Sequence, residues 1–362
     1  MKKLSILTTP AVALGVGILC APQALAAGYT LNQTNVDAAV AAAGHNTEGI
    51  FCDDTGGRFC TLNEGDWTQE GDVAMPVIDD TVTPAMRWGL VLQNDVNISN
   101  PDGGTITGDV AITADEVTLT DVNLTGSVTI DNANAEVTID GGSYDATAGV
   151  DGALNVWDAK SITVNNASFA AGEASAAYIG GGDITITGNS SFASDDDFGI
   201  LVFGLNSLNI ASGTFSGARG GLAFEGGIPD GSTVSLSGGT FTGTGANGRA
   251  ITVDNTDDTT AISGMLASGY HFTNGTIETD TQPGMGGGDY VYIAGTTTVT
   301  NGEEESADPA TPASRNGLGA PDTGVFTAEE GNATDSSILT IMAAALVALA
   351  GAVLVKKHSK RA

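Results

Sequence analysis

A short alternating segment that ends in an aromatic residue recurs along the middle of this chain, and it constrains the fold more than any other feature. Val137-Thr138-Ile139 leads to Tyr144, Ile162-Thr163-Val164 to Phe169 and Ile184-Thr185-Ile186 to Phe192. Leu208-Asn209-Ile210 leads to Phe215 and Val234-Ser235-Leu236 to Phe241, while an earlier copy, Val117-Thr118-Leu119, ends at Leu124. Successive copies start 20 to 26 residues apart. A second track runs ahead of the first: Leu154-Asn155-Val156, Ala177-Tyr178-Ile179, Ile200-Leu201-Val202, Leu222-Ala223-Phe224 and Ile251-Thr252-Val253. Alternation with period two is the mark of a strand. A repeat in the twenties is the mark of a solenoid. A unit this short cannot bury its apolar face alone, so neighbouring units stack.

Each unit therefore reads as two short strands and a looser corner. Inward residues of successive turns form ladders, and Tyr144, Phe169, Phe192, Phe215 and Phe241 are expected to stack ring on ring. Ser143, Ser168, Ser191, Thr214 and Thr240 are expected at turns, bonded to neighbouring backbone. Glycine is abundant at 51 residues and permits corners of positive φ. An antiparallel sandwich would not explain a two-track period over six copies.

Segments such as Leu236-Ser237-Gly238-Gly239-Thr240-Phe241-Thr242-Gly243 and Ser263-Gly264-Met265-Leu266-Ala267-Ser268-Gly269-Tyr270 are similar to repeats of right-handed parallel β-helix surface proteins of Gram-positive bacteria. The resemblance covers roughly residues 96–300 and implies an all-β solenoid. The same fold class includes pectate-lyase-like enzymes, so the resemblance bears on fold more than on activity. Residues 27–95 read as an N-terminal cap: Asn35 to Ala43 is a short helix closed by Gly44, and an irregular stretch with Trp67 and Trp88 follows. Residues 301–319 are charged and aperiodic, a linker that lifts the solenoid from its anchor.

The two ends carry addresses. Met1-Lys2-Lys3, an apolar stretch to Cys20 and the exit Ala24-Leu25-Ala26 form a secretory signal peptide, residues 1–26, with an uncleaved anchor as the other reading. Leu19 before Cys20 is too large for a lipid-modified cysteine. Residues 320–362 begin with Ala320-Pro321-Asp322-Thr323-Gly324, continue through a polar spacer, and then run uncharged from Ile338 to Val355. That run is long enough for a transmembrane helix, and the basic tail Lys356-Lys357-His358-Ser359-Lys360-Arg361 would stay on the cytoplasmic side. This order resembles the C-terminal sorting signal of sortase substrates. The resemblance implies cleavage between Thr323 and Gly324, with Pro321 and Asp322 in the recognised motif, and linkage to cell-wall peptidoglycan. Ala320 stands where that family usually has Leu, which calls for a variant sortase. An uncleaved membrane anchor is the competing reading. Either way the bulk of the chain lies on the extracellular face.

The formal net charge is −31. Lys2, Lys3, Lys356, Lys357, Lys360 and Arg361 sit in the terminal signals, so the exported part is more acidic still. Such a surface repels phosphate backbones, and nucleic acid is excluded as a partner. Cys52 and Cys60 flank a Gly-rich turn, where an oxidising compartment favours a disulfide over a metal site. No cofactor is expected. Calcium is the one metal with some support: Asp195-Asp196-Asp197 and Asp254-Asn255-Thr256-Asp257-Asp258 offer hard oxygens without a full ligand spacing, and Gly180-Gly181-Gly182-Asp183-Ile184 is only faintly like a calcium nonapeptide.

Two functions follow from different classes. A polysaccharide lyase needs a base, for which the solenoid offers Lys160, Arg219, Arg249 and His271. A glycoside hydrolase needs paired carboxylates, for which Asp158, Glu225 and Asp254 are the candidates. The other class is binding without catalysis by an adhesin-like protein. If Leu154, Val156, Ile179, Ile200 and Val202 point inward, alternation puts Trp157, Tyr178, Leu201 and Phe203 outward. Aromatics on a flat sheet suit sugar rings or a host or partner-cell surface, unless the N-terminal cap or a corner loop covers them. Trp157, Tyr178 and Phe203 are the expected ligand-binding residues.

Overall fold

The computed structural model describes residues 28–54, 58–81, 85–280 and 289–302. The stacked repeats form a parallel β-helix of about seven turns. Each turn carries three strands, not two, and the successive strands build three parallel ladders, here called faces A, B and C in chain order.

Face A begins with Phe59–Leu62 paired to Gly89–Leu92 and ends with Gly220–Phe224 paired to Arg249–Asp254. Its inward columns are Val128, Leu154, Ala177, Ile200, Leu222, Ile251 and, one alternation on, Ile130, Val156, Ile179, Val202, Phe224, Val253. Face B runs from Tyr29–Leu31 and Gly65–Gln69 through Val96–Ser99 to Thr233–Leu236. Parallel stacking thus already includes residues within the stretch read as cap. The long strands Val128–Asp140 and Leu154–Asn165 pass from face A to face B around one corner.

Face C is the strand that period-two reading misses. Ser143–Ala146, Ser168–Ala171, Ser191–Ser194, Thr214–Gly217 and Thr240–Gly243 pair in parallel and in register. Each is four residues long with one large inward side chain, too short to display alternation. Ser143, Ser168, Ser191, Thr214 and Thr240 accordingly begin strands and do not sit at turns. The inward residue is the recurring aromatic. Centroids from Tyr144 through Phe169, Phe192 and Phe215 to Phe241 are spaced 4.8, 4.7, 5.6 and 4.8 Å, with 12–14° between planes. Such spacing is near the distance between neighbouring strands, so in-register pairing alone brings the rings into contact.

The corner between faces B and C is turned by left-handed backbone. Asp121, Gly141, Asn166 and Gly188 fill it on successive turns with φ between 53° and 77°. Asx side chains and glycine are the residues that tolerate this conformation.

Both ends are closed. At the N-terminal end the helix Gln33–Ala41 is capped by Asn32, whose Oδ1 accepts from the Asn35 amide at 2.9 Å, and it buries Val36 and Ala39. The Gln33 side chain acts as a surrogate strand for face C. Its Oε1 accepts from the Ala74 amide at 2.6 Å and its Nε2 donates to the Ala74 carbonyl at 3.2 Å. Ile50–Asp53 pairs antiparallel with Phe59–Leu62, the first strand of face A, and so covers its edge, with Cys52 opposite Cys60 in register and a disulfide between them. At the other end Tyr290–Ala294 and Thr296–Asn301 pair antiparallel to the last strands of faces A and C. Closure of this kind removes open sheet edges that would template self-association.

The signal segment, linker residues 303–319, the sorting motif Pro321 to Gly324 and the apolar run 338–355 lie outside the described residues, while Asn301, read as the start of the linker, ends the strand Thr296–Asn301. Among the described residues no helix is long and apolar enough to cross a membrane.

Candidate functional site

The outer side of the corner between faces A and B carries the exposed aromatics. Val156 is the last inward residue before it. Pairing with the preceding turn then slips: Ile130 matches Val156, but Asp131 matches Asp158. Trp157 is the extra residue of a β-bulge, a device that re-aims a side chain. Trp157 is 39% exposed.

Gly180 takes the equivalent position one rung on, its amide donating to the Val156 carbonyl at 2.7 Å. Phe203 follows another rung on, its amide donating to the Ile179 carbonyl at 2.9 Å, and it too is 39% exposed. A Cβ on Gly180 would lie 2.7 Å from Phe203 Cε2. The bare rung lets the Phe203 ring lie back toward Trp157, with centroids 5.6 Å apart and 44° between planes. The two rings expected outward thus form a pair.

Tyr178 belongs to the neighbouring column with Asn155, Leu201, Ala223 and Thr252. Its ring is half-buried, and its hydroxyl accepts from the Ser175 amide at 3.3 Å. Burial chiefly raises its phenol above the ordinary range. Leu201 also lies outside the main core, but it is 7% exposed because Phe198, Ala223 and Tyr178 close around it. Phe198, two residues before inward Ile200, would point inward by strict alternation, yet it packs with Leu201 and Ala223. Gly199 breaks that phase: a Cβ there would lie 2.8 Å from the Ser216 amide and 3.0 Å from the Phe192 carbonyl, so only glycine fits against face C.

The candidate bases are already engaged. Lys160 is ion-paired with Glu136, which raises its pKa, first through the hydrogen bond. The Arg219 guanidinium lies 4.7 Å from the Phe198 ring and 3.0 Å from Asp197 Oδ1. Arg249 lies 4.2 Å over Tyr290 and 5.0 Å over Tyr292, and it donates to the Tyr290 hydroxyl. The Tyr290 hydroxyl donates to Asp280 Oδ2 at 2.9 Å, and that of Tyr292 to Glu278 Oε2 at 2.8 Å. The bond to Glu278, more than burial, pushes the Tyr292 phenol up to about 12. His271 Nε2 is 3.4 Å from the Thr300 hydroxyl.

The carboxylates divide likewise. Asp158 and Glu225 are exposed, whereas Asp254 is fully buried. Asp158 and Glu225 stand three rungs apart, about 14 Å at the usual strand spacing, beyond the roughly 5–9.5 Å that glycoside hydrolysis uses. Glu225 and Asp254 are on adjacent rungs, but a sealed Asp254 does not reach a substrate. Of the acidic runs, Asp197 accepts from Ser175 and Arg219, and Asp258 caps the amide of Thr260, which lowers its pKa. Among the described residues no three His, Cys, Asp or Glu side chains are grouped to hold a metal ion. A shallow polar depression bordered by Glu64, Asp95 and Asp115 lies at earlier turns of the same corner. There Asp95 accepts from the Glu116 amide and Asp115 from Asn132, so these acids tie adjacent turns together.

No protein family, no curated protein and no solved structure matches this chain.

Proposed function

We propose that this protein is an adhesin-like binding protein displayed on a bacterial envelope, and that it holds glycans against Trp157 and Phe203 without cleaving them. One observation carries the reading: two large aromatic rings are paired and open to solvent at a bulge on a rigid corner. Aromatic faces stack against the C–H faces of sugar rings, and a rigid scaffold avoids the entropy of ordering a loop. Tyr178 borders the pair. The secretory start and the order of Pro321-Asp322-Thr323-Gly324, apolar run and basic tail support export and display, with sortase and peptidoglycan as the anchoring partners. The engaged bases and the sealed Asp254 favour binding over lyase or hydrolase chemistry.

The test is residues 27–323 incubated with plant, host and bacterial polysaccharides, with and without calcium. Retention without chain shortening is the expected result. Shortened products would make it an enzyme, and no retention of any polysaccharide would remove the glycan reading.

A further inference from the structure

The surroundings of the ring pair narrow the ligand. Asp158 follows Trp157 and is exposed, and its register partner Asp131 on the preceding turn is exposed as well. A Cβ on Gly181 would lie 3.2 Å from Asp158 Oδ1, so this carboxylate leans over the residue next to Gly180, which Phe203 covers, on the same rung. Glu225 is exposed on the rung beyond Phe203. The nearest lysine in sequence, Lys160, is ion-paired with Glu136. Two open rings are thus bracketed by carboxylates, within a chain of formal charge −31.

Resting on the glycan reading above, we infer that this site selects saccharides that carry protonated amino groups. A cation gains from the negative faces of Trp157 and Phe203 and from the flanking carboxylates together. An anionic saccharide meets repulsion at the same place, and a neutral one gains only ring stacking.

The experiment uses the purified chain and four probes: deacetylated chitosan oligosaccharide, its fully N-acetylated counterpart of equal length, polygalacturonate and oligolysine. The pH is set where the amines are protonated and Asp and Glu are ionised. The amine-bearing probe should bind about fivefold more tightly than the acetylated one, the value of two partly exposed charge contacts. About 0.5 M salt should shrink that preference, the D158N/E225Q variant should abolish it, and polygalacturonate should not bind. Equal affinity for the two chitosan probes, or a preference that survives in D158N/E225Q, would overturn the inference and leave the glycan reading standing. Failure of both probes while another glycan is retained would do the same. Failure of every glycan would sink both readings. Oligolysine binding as tightly as the amine-bearing probe would replace the saccharide with a basic protein surface.

Discussion

The ring of Tyr144 stacks on that of Phe169, centroids 4.8 Å apart and planes within 13°, at the N-terminal end of the aromatic ladder. The two rings pack alike, but Tyr144 carries a hydroxyl that is buried with no hydrogen-bond partner among the described residues. A polar atom in that position costs free energy that a phenylalanine does not. Tyr144→Phe is therefore expected to stabilise the chain by about 1 kcal/mol, read as a higher denaturation midpoint.

The same hydroxyl predicts an alkaline sensitivity. Burial, with Asp121 as the second cause, pushes the Tyr144 phenol far above its ordinary value of 10.0. The folded chain therefore holds the protonated form more tightly than the unfolded chain does. The resulting stability is whole below pH 10.0 and is lost as the pH climbs toward the raised folded value. Unfolding curves across that range should fall less steeply for Tyr144→Phe than for the parent.

Phe192 lies between Phe169 at 4.7 Å and Phe215 at 5.6 Å and is 1% exposed. Phe192→Ala opens a cavity in the middle of the ladder and should cost about 3–5 kcal/mol. Because each turn touches only its neighbours, amide exchange should accelerate most around residues 169 and 215.

Cys52 and Cys60 close a short loop, eight residues apart in sequence, within the hairpin at the start of face A. The double Cys→Ser variant should lose about 2.5 kcal/mol by the loop-closure estimate. Reduction of the parent should lower the melting temperature in the same direction.

Gln33 covers the face C edge at Ala74 with two hydrogen bonds. Gln33→Ala uncovers that edge. We expect a loss of about 1–2 kcal/mol and concentration-dependent association in light scattering, where Gln33→Glu would keep the acceptor and restore part of the cover.

Gly180→Ala tests the ring pair without removing a ring. The added Cβ meets Phe203 Cε2 at 2.7 Å, where the ring can swing outward, and the Trp157 and Val156 carbonyls at 3.1 Å, where the backbone must give slightly. The expected result is weaker glycan retention with a slightly lowered melting temperature.

Much of the fold was legible because its strongest signal is local. A large aromatic at one position per turn is visible by eye, and in-register stacking of Tyr144 through Phe241 follows from it. The third strand was hidden because Ser168–Ala171 and its equivalents present one inward side chain, too few to reveal a period. The outward positions of Trp157 and Phe203 followed from alternation. Their pairing did not, since it depends on Gly180 between them and on a register slip between Ile130 and Asp131. Phe198 was missed because Gly199 resets the phase of its strand, which becomes plain only from the closeness of face C. The antiparallel closure by Tyr290–Ala294 was out of reach as well, because alternation in a strand says nothing of its direction.

The central claim is that Trp157 and Phe203 hold a glycan. Its most direct test is retention of the W157A/F203A variant beside the parent on whichever polysaccharide the parent binds, with both chains checked for equal melting temperature. The account predicts a loss of retention of tenfold or more, about 1.4 kcal/mol or above, in a chain that still folds. Retention equal to the parent's in an intact W157A/F203A solenoid would contradict it and move the site elsewhere on the surface.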